Sequence, residues 1–177
     1  IKYCIDKNAS VVLMSHMGRP NGTPDPNLTL EPIAWYLEDS LDMSVLFSDD
    51  CVSDKSILMS KTLKPKEILL LENLRFHREE NSNDNNFSKK LSKHADVYIN
   101  DAFGTAHRSH ASNVGVAKYF KEKGFGFLMN SEIKYLRESM DTPESPLLVI
   151  IGGAKISTKI KLINNLINRA DTILIGG

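Results

Sequence analysis

Three arginines and three histidines stand at equivalent places along the chain, each set just past a short apolar run: His16 and Arg19 in "SHMGRP", Arg75 and His77 in "ENLRFH", His107 and Arg108 in "NDAFGTAHRSH". Arginine presents a planar fork of donors that grips a carboxylate or phosphate in two places and stays charged at every working pH. Histidine adds ring donors whose charge changes near neutrality. One such residue alone reads most simply as a surface ion-pair partner or a cap. Recurrence at three sites predicts a basic pocket for a small, strongly anionic ligand. In the same segments Asp101 is expected to orient the arginines and Gly104 to give room for the bend, while His110 reads as structural and Glu79 and Glu80 as a solvated charged face.

A second constellation is "IIGGAKISTKI", residues 150 to 160. Gly152 and Gly153 allow a tight turn and close backbone approach, and Lys155 and Lys159 flank the start of a helix, whose amino end favours anions. That suits a nucleotide phosphate, although neither GxxxxGK[ST] nor GxGxxG is present. A glycine turn with lysines on a solvated helix face is the plainer alternative. Ser15 and Ser109 sit beside histidines, but nothing resembles a nucleophile elbow.

These residues need elements to position them. Apolar runs rich in Val, Ile and Leu predict strands over 10–16, 44–47, 67–73, 96–101, 147–153 and 172–177, apolar on consecutive positions as in strands covered on both faces. Leu30, Ile33, Ala34, Leu37 and Leu41 recur at helical spacing, as do Ile156, Ile160, Ile163, Ile167 and Ala170. Residues 114–120 look helical, and a longer helix is expected from about 131 to 140, with Ser131 as N-cap and the prolines of "DTPESP" as its stop. The alternation predicts an α/β fold with a doubly wound, mainly parallel sheet of the Rossmann-like kind. In such sheets ligands bind at the carboxyl ends of strands, where the three basic segments fall. The organisation expected is a domain over 1–130, a connecting helix and hinge over 131–145, and the start of a second domain over 146–177.

Charge and composition narrow the function. With 22 basic and 22 acidic residues, the chain is not a strongly cationic nucleic-acid binder on net charge. No apolar run approaches the roughly 18 residues that span a bilayer. Cys4 and Cys51 have neither zinc-ligand nor disulfide-framework spacing, so a reducing, cytosolic setting is the default, with both read as small buried side chains. Trp35 and the phenylalanines are expected in the core. The first residues "IKYCI" and the last "ILIGG" read as the inside of a helix and the end of a strand, which suggests a piece of a longer protein.

The motifs "VVLMSHMGRPNG", "ILLLENLRFHREE", "VYINDAFGTAHRSH", "GFLMNSEIKYL" and "IIGGAKISTKIKLINNLI" resemble, in order and over almost the whole chain, those of phosphoglycerate kinases. The divergent parts are the loops at 20–28 and 78–90. The resemblance implies most of a 3-phosphoglycerate domain and the beginning of a nucleotide domain. It also implies reversible phosphoryl transfer between 1,3-bisphosphoglycerate and ADP, with Mg2+ accompanying the nucleotide, in a cytoplasmic protein that is a monomer when complete. Carried over by motif, it places the substrate at His16, Arg19, Arg75 and Arg108, with His107 in the same patch, and the nucleotide at Gly153, Ala154, Lys155, Lys159 and Gly177. Lys159 and Arg108 become the expected catalytic residues, and no metal ligand is expected within these residues. The family's "DFNVP" strand would precede Ile1, and its Mg-binding acid and glycine-rich loop would follow Gly177, so this stretch alone is expected to be inactive. Thr158 stands where the family often has Asp. The competing class is a binding module that holds a phosphorylated metabolite without turnover. A dinucleotide-dependent oxidoreductase is disfavoured, since no glycine fingerprint with a following acidic residue is present.

Overall fold

The computed structural model describes residues 1–141, 145–153 and 156–176. The expectations placed on Ala154, Lys155 and Gly177 lie outside the described residues. Helices and strands alternate as α1 (Lys2–Asp6), β1 (Val11–Leu13), α2 (Glu31–Leu41), β2 (Val45–Ser48), α3 (Asp54–Lys61), β3 (Ile68–Leu71), α4 (Arg78–Ser82), α5 (Asn85–Leu91), β4 (Val97–Asn100), β5 (Glu122–Phe125), α6 (Phe127–Asp141), β6 (Leu148–Ile151), α7 (Ile160–Leu166) and β7 (Thr172–Ile175). Contacts divide the chain into two compact units, Ile1–Phe125 and Gly126–Gly177.

The first unit is organised on β3, whose four aliphatic residues are all buried. It lies between β1 and β2, parallel to both, with Val12 opposite Leu69 and Leu46 opposite the same residue from the other side. Successive side chains of a strand point to opposite faces. Leu69 and Leu71 therefore enter one core with Cys51, Phe87, Leu91, Tyr98, Val116 and Phe120, while Ile68 and Leu70 enter another with Ile5, Leu30, Ala34 and Val45. Both faces of the sheet are thus covered, which is the doubly wound arrangement. Each such buried aliphatic side chain contributes roughly 1.5–3 kcal/mol.

Several local expectations are corrected. β4 buries only Tyr98 and leaves Val97 and Ile99 half exposed, so coverage on both faces holds for β3 and fails for β4. The partner of β4 is β5, from the polar "EKGF", parallel and exposed at all four positions. It satisfies the backbone groups of β4 without burying an apolar face. Residues 111–119 are helical as expected, but as a π-helical turn at Ala111–Gly115 followed by a 3-10 helix at Val116–Tyr119 rather than an α-helix. Gly115 explains the close seat of that turn on α5: a Cβ there would lie 2.1 Å from Ser88 Oγ. Trp35 is 58% exposed, because α2 turns Ala34 inward and Trp35 and Tyr36 outward. Cys51 is buried but Cys4 only half so.

In the second unit β6 and β7 pair in parallel, and Met129, Ile151 and Leu166 are buried. α6 begins at Phe127, with the Asn130 N–H donating to the Gly126 carbonyl, so Ser131 sits inside the helix and does not cap it. α7 begins at Ile160 after a 3-10 turn over Ile156–Lys159. Among the described residues no helix is long and apolar enough to cross a membrane.

Candidate functional site

The loop after β1 is tied to the end of β3 by the side chains that follow it. Asn73 is fully buried, and its amide donates to the carbonyls of Met17 and Leu28, both at 2.8 Å, while its Oδ1 accepts the Arg75 N–H. The Arg75 guanidinium donates to the Gly18 carbonyl at 2.9 Å, and the Leu74 N–H donates to the Ser15 carbonyl. Gly18 takes φ 62°, and a Cβ there would come within 2.7 Å of Leu28, so a close left-handed bend carries the chain from His16 to Arg19. Glu72 fixes the far end of the same loop: it accepts from the Leu30 N–H and the Thr29 hydroxyl at the amino end of α2.

The segment after β4 is held by Glu80, which departs from the sequence-based expectation. It is 3% exposed, not a solvated charge. One carboxylate oxygen accepts the Ser112 N–H at 2.9 Å, the other accepts the Ser112 hydroxyl at 2.6 Å, and His110 Nδ1 lies 3.7 Å away. The Ser112 carbonyl in turn accepts from the Tyr98 hydroxyl. Burial pushes the Glu80 carboxyl up, and the Ser112 hydrogen bonds and the Arg75 charge oppose that. Asn113 donates to the Thr105 carbonyl and secures the turn that carries His107 and Arg108. Gly104 has no left-handed φ, and a Cβ there would meet nothing within 4 Å, so the bend does not depend on it.

These anchors bring cations to one place. His16 is held below its ordinary value by burial first, then by the charges of Arg75, His110 and Arg108. His110 is lowered by burial, then by Arg75, Arg108 and His107. The Arg75 guanidinium is lowered by burial, then by Arg108 and Arg19, with Glu80 acting the other way. His16, Arg19, Arg75, His107, Arg108 and His110 thus act on one another across three segments of the first unit. An incoming anion would favour the protonated forms of both imidazoles. His110, read from the sequence as structural, feels the charges of Arg75, Arg108 and His107, and it is less exposed than His107 and Arg108. A buried carboxylate next to a cationic cluster was the missed feature, and nothing in "HREE" distinguishes Glu80 from Glu79. His77 is drawn elsewhere, to Asp50 at 3.1 Å. Asp101 is exposed at the end of β4.

In the second unit Gly153 takes φ 124° after β6, and a Cβ there would lie 2.3 Å from Lys159 Nζ. The Lys159 ammonium donates to the Gly152 carbonyl. The lysine folds over the glycine turn, where a bound anion would meet it. Segment 148–159 contains no Asp or Glu, so it brings no carboxylate for a cation.

Comparison with known proteins identifies the family. The family model described as phosphoglycerate kinase matches residues 1–177. Curated phosphoglycerate kinases from Finegoldia magna and Anaeromyxobacter dehalogenans are 53% and 50% identical over 100% of this chain. The chain spans 45% of the length of each. Solved structures of phosphoglycerate kinase from Pyrococcus horikoshii and Coxiella burnetii superpose with TM-scores of 0.87 and 0.85 at 37% and 35% identity, each covering 99% of this chain. They are matched over 45% and 44% of their own length, respectively.

Proposed function

The chain belongs to the phosphoglycerate kinase family, and on that premise we propose that the complete protein moves a phosphoryl group reversibly between 1,3-bisphosphoglycerate and ADP. The observation that carries the proposal is the gathering of His16, Arg75, Arg108 and His110 into one mutually repelling cationic cluster, which an anion of high charge would relieve. In this reading residues 1–130 hold 3-phosphoglycerate, residues 131–145 connect, and residues 146–177 open the nucleotide domain. The protein works as a cytoplasmic monomer and engages neither nucleic acid nor membrane.

Phosphoryl transfer asks a protein mainly for positioning and charge neutralisation. No general base is required, because the acceptor carboxylate of 3-phosphoglycerate is already a nucleophile. Arg19, Arg75 and Arg108 grip the substrate's phosphate and carboxylate, His16 and His110 donate once protonated, and His107 adds charge at the rim. Arg75 has a second duty, since its bond to Gly18 positions the loop of His16 and Arg19. The backbone at Gly153 and Ala154 and the ammonium groups of Lys155 and Lys159 receive the nucleotide phosphates, with Gly177 beginning a further turn at the same ligand. Lys159 and Arg108 offset the charge that spreads over the moving phosphoryl group. Mg2+ enters as part of the nucleotide substrate.

The 177 residues alone are expected to bind 3-phosphoglycerate without turnover. The test is a coupled assay of the complete protein in both directions with Mg-ADP and 1,3-bisphosphoglycerate or Mg-ATP and 3-phosphoglycerate. The proposal predicts transfer that saturates in both substrates. Binding of 3-phosphoglycerate with no transfer at saturation would leave a binding module in its place.

A further inference from the structure

A cavity of the first unit lies apart from the basic cluster. It has a volume of about 160 Å3 and is lined by Pro24, Asp49, Asp50, Cys51, Phe76 and His77, among others. Its carboxylates make it a poor host for phosphoglycerate and a natural one for a cation. At its wall, Asp50, Cys51 and His77 bring a carboxylate oxygen, a thiol sulfur and a ring nitrogen within 4.8 Å of one another.

Each of the three is already oriented. Asp50 Oδ1 accepts the N–H groups of Val52 and Ser53 at 2.6 and 2.7 Å, which directs Oδ2 to His77 Nε2 at 3.1 Å. The His77 ring lies against Phe87 with centroids 5.2 Å apart. The backbone of Cys51 is pinned by the Nε2–H of His94, which donates to its carbonyl at 2.9 Å. The Cys51 side chain is 1% exposed, lines the cavity, and makes no hydrogen bond among the described residues. Sequence spacing predicted no metal site, because His77 is 26 residues beyond Cys51, and only the adjacency of the ends of β2 and β3 joins them.

We propose that Asp50, Cys51 and His77 form a binding site for a borderline divalent cation of the zinc class, separate from the Mg2+ that accompanies nucleotide. Zinc takes sulfur, imidazole and carboxylate at about 2.0–2.3 Å in a tetrahedral set whose ligand atoms stand roughly 3.3–3.7 Å apart. The 3.1 Å separation of oxygen and nitrogen needs to open by only a few tenths of an ångström, and the sulfur to close from within 4.8 Å. The cavity leaves the fourth position to water. A thiolate and an imidazole select such an ion over Mg2+ or Ca2+, which require oxygen ligands. On binding, the S–H bond of Cys51 breaks as the metal–sulfur bond forms, and its proton passes to solvent. The thiolate and the Asp50 carboxylate then balance the two charges of the ion, with His77 neutral.

The test uses the complete protein, freed of metal by chelation and titrated with Co2+ and then Zn2+. The expected result is one Co2+ per chain with a thiolate-to-cobalt charge-transfer band, abolished by Zn2+ and accompanied by a rise in thermal midpoint. Cys51→Ser removes the band, Cys4→Ser keeps it, and His77→Gln keeps it while weakening Co2+ at least about tenfold. Absence of the band in the unmodified protein, or its survival in Cys51→Ser, overturns the site. Should Cys51→Ser fail to fold by circular dichroism, an unchanged Co2+ affinity in His77→Gln overturns it equally.

Discussion

Replacing Arg108 by alanine removes a guanidinium that is exposed and donates no hydrogen bond within the protein among the described residues. The fold should barely notice: surface substitutions of this kind change stability by about 0.5 kcal/mol or less. Its charge is felt elsewhere, on His16, Arg75 and His110, each of which it disfavours in the protonated form. Arg108→Ala therefore raises the titration midpoints of His16 and His110 in the free protein, since a repelling positive charge has gone. If Arg108 also grips the ligand, the variant loses a charge-assisted hydrogen bond of roughly 1.5–3 kcal/mol. At about 1.4 kcal/mol per decade, that weakens 3-phosphoglycerate binding by about 10- to 150-fold. Calorimetric titration of the complete protein gives the Kd, and histidine NMR gives the midpoints. An unchanged Kd with raised midpoints would keep the cluster but refute Arg108 as a ligand contact; unchanged values of both would refute the cluster itself.

Three further outcomes follow from the packing. Glu80→Ala strands the Ser112 N–H and hydroxyl in a buried place and should cost about 2–4 kcal/mol in urea unfolding, whereas Glu80→Gln, which can bond both, should cost about 1 kcal/mol or less; equal costs would show that the anchor is not a hydrogen-bond effect. Asp50 is lowered from 3.8 to about 2, chiefly by its hydrogen bond to His77. A depressed carboxylate contributes stability that is complete above 3.8 and lost as pH falls toward about 2, so in chelator-containing buffer the protein should lose stability over that window more steeply than Asp50→Asn; parallel pH profiles would remove the interaction. Gly115→Ala sets a methyl 2.1 Å from Ser88 Oγ, which is itself committed to the Asp84 carbonyl, and should cost about 1–3 kcal/mol by thermal unfolding; a change under about 0.3 kcal/mol would mean that α5 yields freely there.

What could be read from the chain beforehand depended on how local its cause was. β3 was legible because Ile68–Leu71 is apolar without interruption, and α2 because Ala34, Leu37 and Leu41 repeat at helical spacing. β5 was not, since "EKGF" is exposed throughout and exists only as a backbone partner for β4. Trp35 looked like core by residue type, yet its position one residue past Ala34 turns it outward. The three basic segments were legible because each follows directly on an apolar run. Their internal division of labour was not: "HRSH" contains two histidines, and the one facing the arginines is decided by Glu80, 30 residues earlier in sequence. The same limit hid the Asp50, Cys51 and His77 cluster, whose members meet only after β2 and β3 pair.

The claim on which the rest depends is that His16, Arg75, Arg108 and His110 form the anion site. It is tested most directly by titrating 3-phosphoglycerate into the complete protein with 15N-labelled histidine and following each ring with pH. The account predicts one saturable site, with the midpoints of His16 and His110 rising together on binding and that of His94, buried against Ser60 and the Cys51 carbonyl, staying still. Saturation by the ligand with the midpoints of His16 and His110 unmoved would contradict it.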